Sequence, residues 1–134
     1  MFANPDPDLK YRFLWLALGY AIVMLIVYLS LTSNPVSIGM SFLYQDKFFH
    51  AFAYFVLMSW FMQIYHDRFQ RNMIALVFIF MGITLEYLQS YDRARMFEIA
   101  DMVANAIGVA LGFALALTRA KNCLLRFEQK IFSR

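Results

Sequence analysis

Residues 13–32 read FLWLALGYAIVMLIVYLSLT, 20 residues without a charge and with Tyr20, Tyr28, Ser30 and Thr32 as the hydroxyl side chains. At 1.5 Å per residue a helix of this length spans about 30 Å, the thickness of a bilayer's hydrocarbon core. The next charged residue after Arg12 is Asp46. Alternation with period two is missing, which favours a membrane helix over a barrel strand. Lys10 and Arg12 stand before the run as they would before a signal peptide. The run exceeds the usual 7 to 15 apolar residues and has no small-x-small cleavage site near its end, so it reads as a retained first span.

Three more apolar runs follow, at about residues 48–65, 73–91 and 99–118. Each ends in breakers or charges: Ser33-Asn34-Pro35 after the first run, then His66-Asp67-Arg68, Asp92-Arg93 and Arg119. The whole chain agrees, with 134 residues, 62% hydrophobic and 16% charged. A soluble domain carries about 25% charge. The same figures exclude disorder, the single Cys excludes a disulfide scaffold, and the length argues against several domains. The sequence predicts one all-α domain over residues 1–134, a four-transmembrane-helix bundle with a short amphipathic C-terminal segment.

Orientation follows from the basic residues. With the N-terminus inside, Lys10, Arg12, Arg68, Arg71, Arg119, Lys121, Arg126, Lys130 and Arg134 are internal, against Lys47, Arg93 and Arg95 outside. The bias predicts an N-in, C-in topology, with residues 33–46 and 92–98 as outer loops. The tail RAKNCLLRFEQKIFSR (119–134) has the pattern of a helix on an anionic leaflet, with a plain topology anchor as the preferred reading. His66, beside Asp67 and Arg68, reads as a solvated turn, and Cys123 as a thiol without a role.

The polar residues inside the runs fall into stripes. Asp46, Lys47, His50 and Tyr54 share one face of the second helix. Gly82, Glu86, Gln89 and Arg93 are spaced 4, 3 and 4, as are Asp101, Asn105, Gly108 and Gly112. All three stripes lie toward the outer end. An ionisable group such as Glu86 within a span must face protein or water, so the stripes are expected to converge. Gly108 and Gly112 form a GxxxG pair that lets a neighbouring backbone approach.

Two readings of this cluster stand side by side. It is either a buried ion-pair network that fixes register, or a site. As a site, His50, Glu86 and Asp101 are the candidate catalytic acids and bases, and Asp46, Lys47, Gln89, Arg93, Arg95 and Asn105 the candidate ligand-binding groups. Gly82, Gly108 and Gly112 serve packing. No HxxxH or CxxC spacing supports a metal, no motif calls for a cofactor, and nothing points to nucleic acid. The abundant aromatics suit lipid-facing and interfacial positions.

Asp46-Lys47-x-x-His50, Ala53-Tyr54, Gly82-x-x-x-Glu86-x-x-Gln89, Arg95 and Asp101-x-x-x-Asn105-x-x-Gly108-x-x-x-Gly112 together resemble the VanZ-like family of small bacterial membrane proteins. The resemblance covers roughly residues 35–118. It implies a multi-pass protein of the bacterial cytoplasmic membrane, linked to low-level resistance to the glycopeptide teicoplanin. By resemblance Asp46, Lys47, His50, Glu86, Gln89, Arg95, Asp101 and Asn105 would be signature positions, with the family's arginine at either Arg93 or Arg95. Two function classes are expected from these readings. One is a site at the outer leaflet that binds or modifies a lipid-linked or anionic envelope component. The other is a noncatalytic adaptor packed against an envelope enzyme or complex, or against a second copy. A transporter is disfavoured by the few spans and the absence of an inverted repeat.

Overall fold

The computed structural model describes residues 6–31, 45–91 and 99–132, and they contain helices but no strand. The helices are α1 (Arg12–Leu31), α2 (Gln45–Ile64), α3 (Arg68–Gln89), α4 (Ile99–Leu115), and α5 (Cys123–Phe132), the last entered through a short 3-10 turn at Arg119–Asn122. Of the predicted outer loops, residues 33–44 and 92–98 lie outside the described residues, whereas Gln45 and Asp46 belong to the first turn of α2.

Boundaries differ from the hydropathy reading by up to five residues, and two of the differences have a local reason. α3 begins five residues before Met73 because Asp67, extended at φ −67° and ψ 129°, accepts the amide of Gln70 at 3.0 Å and caps the helix. α4 stops short of Thr118, whose hydroxyl accepts from the Ala120 amide at 3.1 Å and caps the following turn instead. The chain bends there, so that α5 runs at 78° to α4.

α2 is the central helix. Leu57, Met58, Met62 and Ile64 are sealed from solvent, and the first three join Ile26, Phe61, Phe78, Val109 and Ala116 in the main apolar core. A smaller cluster of Leu9, Trp15, Ile64 and Leu124 ties the N-terminal segment and α5 to the end of α2. The outward surface is apolar as well. Phe13, Leu14, Leu18, Met24 and Leu25 on α1, and Leu76, Val77, Phe80 and Ile83 on α3, are exposed. Apolar faces of that extent fit hydrocarbon, not water.

By length and composition α1 and α3 can each cross a membrane, and α4 with the α5 segment makes a third if the bent pair counts as one span. These helices point to membrane association. α2 falls outside that count, since Gln45, Asp46, Lys47, His50 and Gln63 lower its hydropathy.

α4 packs closely along α2, and the two run parallel: Lys47 meets Asp101, His50 meets Asn105, Ala51 meets Gly108 and Phe55 meets Gly112. The glycines permit this. A Cβ at Gly108 would run into the Ala51 carbonyl oxygen, and one at Gly112 would lie 2.7 Å from Met58 Cβ. Small residues spaced four apart thus bring two backbones together.

Candidate functional site

The close α2–α4 contact sets the geometry of the polar cluster at the start of both helices. Asp101 stands in the first turn of α4, where the helix dipole favours a carboxylate. Its Oδ1 is 3.1 Å from Lys47 Nζ and its Oδ2 is 3.7 Å from His50 Nε2. On the other side of the imidazole, His50 Nδ1 is 3.1 Å from Asn105 Oδ1. Lys47 and His50 occupy successive turns of α2, as Asp101 and Asn105 do on α4, so two i, i+3 or i, i+4 pairs face each other. Asp101 and Asn105 are buried, whereas the Lys47 and His50 side chains keep 22% and 23% of their exposure. The network therefore has an inner acidic wall and an outer basic lip.

α3 closes one side. A Cβ at Gly82 would come within 3.0 Å of Asn105 Nδ2, so the glycine makes room for the amide. Glu86, one turn further, is buried and within electrostatic range of the Tyr54 hydroxyl. Gln89 behaves differently from its stripe-mates. Its Nε2 donates to the Ser30 carbonyl at 2.6 Å, so it ties the end of α3 to the last turn of α1. Arg93 and Arg95 lie outside the described residues, as does the side chain of Asp46. Among the described residues no three His, Cys, Asp or Glu side chains are grouped as metal ligands would be.

A second polar assembly, at the opposite end of the bundle, was not anticipated. Arg71 is buried and donates from Nε to the Tyr65 carbonyl at 2.6 Å, from Nη2 to Met62 at 3.0 Å and from Nη1 to Ala116 at 3.3 Å. It caps the C-terminal ends of α2 and α4 at once, where unpaired carbonyls collect negative potential. Its position near the N-terminus of α3, unfavourable for a cation on its own helix, was the available signal.

His66 is buried, contrary to the expectation of a solvated turn. Its amide donates to Asp6 Oδ1 at 2.8 Å and its Nε2 lies 3.2 Å from the Lys121 carbonyl. Burial, and then the nearby Arg71 guanidinium, hold its pKa below the ordinary histidine value. Asp6 also pairs with Arg12 at 3.1 Å, and Arg12 donates to the Ile64 carbonyl at 3.1 Å. Gln63 clamps the tail: Nε2 donates to the Ala120 carbonyl at 2.7 Å and Oε1 accepts the Leu124 amide at 2.9 Å.

Glu128 completes this end. The carboxylate is buried and accepts from Trp15 Nε1 at 2.6 Å, from the Tyr11 amide at 2.9 Å, and from the Lys10 amide. Burial opposes its ionisation, but these three donors together outweigh it and keep the pKa below the ordinary carboxylate value. The signal in the sequence was a lone acid on the apolar side of an amphipathic helix, one turn from Leu124.

Comparison with known proteins gives limited company. The chain is 30% identical over 82 residues to an uncharacterized protein of Schizosaccharomyces pombe, an alignment covering 59% of this chain and 51% of the yeast protein. The chain thus spans about half the length of the curated relative it matches. No family model and no solved structure matches it. The VanZ-like assignment is corrected on these grounds: no family model supports it, and a eukaryotic relative argues against a bacterial family. The glycopeptide-resistance link and the bacterial cell-envelope setting rested on that resemblance and fall with it.

Proposed function

We propose that this chain is a multi-pass membrane protein in which α1 to α4 all cross the bilayer, with both ends of the chain on one face. In that bundle the Lys47, His50, Asp101 and Asn105 cluster is a binding site at the opposite face for the anionic headgroup of a membrane component. The observation that carries the reading is the graded burial of the network. Asp101 is fixed inside while Lys47 and His50 remain partly open at the end of the helices, so a phosphate can engage the basic lip without unpacking α2 from α4. His50, held between Asp101 and Asn105, is also the group best oriented to move a proton on a bound component.

The two histidines of the chain give separate reports on the two ends, His50 on this cluster and His66 on the opposite assembly. Titrating dodecyl phosphate into detergent-solubilised protein should move the His50 imidazole resonances saturably, and Lys47→Met should weaken that response. A response confined to His66, or one at His50 indifferent to Lys47→Met, would refute the site.

A second reading has its own support in the exposed face of α3, where Leu76, Val77, Ile79, Phe80 and Ile83 line a shallow apolar groove. An adaptor would seat a partner helix there. Photocrosslinking from Val77 and Phe80 in the native membrane that captures only lipid would count against it.

A further inference from the structure

The faces of α5 are sorted with respect to the bundle. At about 100° per residue, Leu124, Glu128, Phe132 and Leu125 fill one arc of roughly 100°, and these are the residues turned to the bundle. Leu124 and Glu128 are buried and the Phe132 ring meets Tyr11 at 4.8 Å. Phe127 and Ile131 occupy the adjoining arc and are more than half exposed. Arg126 and Lys130 lie beyond them, fully outward, with Arg119 exposed in the preceding turn.

Two further observations fix how this helix sits. It runs at 78° to α4, so with α4 crossing the bilayer α5 lies near the membrane plane. It also cannot roll, because Glu128 is held by Trp15, Tyr11 and Lys10, and the start of the helix by Gln63. Trp15, Trp60, Tyr11 and Tyr65 gather at the same level, as aromatic side chains do at a membrane interface.

We infer that the outward face of α5 is a binding surface for anionic phospholipid in the leaflet at this end. Phe127 and Ile131 enter the acyl boundary while Arg119, Arg126 and Lys130 meet the phosphates. Charge complementarity names the occupant: three exposed cations flank two exposed apolar side chains, and the one acid within α5 is turned inward and already bonded. The exposed Arg126 guanidinium donates to the Arg119 carbonyl at 3.1 Å, which ties it to the preceding turn. The inference rests on the membrane reading above, but concerns a different end of the molecule.

Both tryptophans of the chain lie at this end, and they provide the test. The full chain is reconstituted into nanodiscs of phosphatidylcholine containing brominated phosphatidylglycerol, or brominated phosphatidylcholine at the same mole fraction. Stronger quenching of tryptophan emission by the brominated anionic lipid is expected, with a preference on the order of fivefold for each basic residue engaged. The preference should fall stepwise in Lys130→Gln and Arg126→Gln/Lys130→Gln, and should weaken with added salt in the unmodified chain, where no folding question arises. Equal quenching by the two lipids, or a preference that survives both the substitutions and the salt, would overturn it. Failure of the chain to insert into nanodiscs would instead refute the membrane reading, and the lipid surface with it.

Discussion

Trp15 Nε1 donates to Glu128 Oε2 at 2.6 Å across 113 positions of sequence, and this bond ties the first helix to the last. It is one of three hydrogen bonds to the same carboxylate, the others coming from the Lys10 and Tyr11 amides. Replacing Glu128 with Leu leaves those donors unpaired in a buried place and is expected to destabilise the docked tail by about 1–3 kcal/mol. Glu128→Gln keeps one acceptor oxygen and should cost less. Faster amide exchange in α5 relative to α2 reads the loss directly.

Acid should act on the same end. Glu128 is held below the ordinary carboxylate value, so its contribution is complete above that value and disappears as pH falls through the folded one. His66 is held below the ordinary histidine value and is kept neutral by its surroundings. The unfolded chain takes up that proton first, so stability declines as pH falls below about 6.5 toward the folded value. Protection of the α5 amides and of residues 65–67, taken as exchange relative to the intrinsic rate at each pH, should fall between about pH 7 and pH 4. Protection in α5 that is unchanged over that range would contradict the assignment.

Arg71→Met removes donors from three carbonyl oxygens at the ends of α2 and α4. A loss of about 3 kcal/mol is expected, near 1 kcal/mol for each bond. Arg71→Lys should recover little of it, because a single ammonium cannot reproduce a planar fork that reaches three directions. Thermal unfolding in detergent separates the two variants.

Glycine substitutions should rank by what the new methyl meets. Gly108→Ala strikes the backbone of α2 and should force α4 away, at a cost of about 1–3 kcal/mol or more. Gly82→Ala meets the Asn105 side chain at 3.0 Å, which can shift, so it should cost less in stability while disturbing the His50 environment. Equal destabilisation by both would show that the α2–α4 contact leaves room for a methyl at Gly108.

A double-mutant cycle on Lys47→Met and Asp101→Leu should give a coupling of about 0.5–3 kcal/mol, as for residues in direct contact. Each single variant should be less stable than the double, because each alone leaves a desolvated charge behind. Additive effects would place the two groups in bulk water.

Periodicity placed Lys47 and His50 on one face, and Asp101 and Asn105 on another, because helical spacing alone sets which side chains share a face. The GxxxG pair indicated that a backbone would come close, without indicating which one. Gln89 shares the spacing of Glu86, yet its amide is long enough to swing to α1, a choice that depends on where Ser30 ends up. The burial of Arg71, His66 and Glu128 is not legible along the chain, because each is held by a partner 45 or more positions away in sequence.

What the sequence determined by itself is the helical class, the apolar surface and the division into long runs, since these follow from residue type and spacing along one chain. Tertiary structure decided the parallel pairing of α2 with α4, the perpendicular seat of α5 and the partners of every buried charge. Those depend on which carbonyls and donors are left unsatisfied when helices end and bend, and only the packed molecule brings them within hydrogen-bond reach.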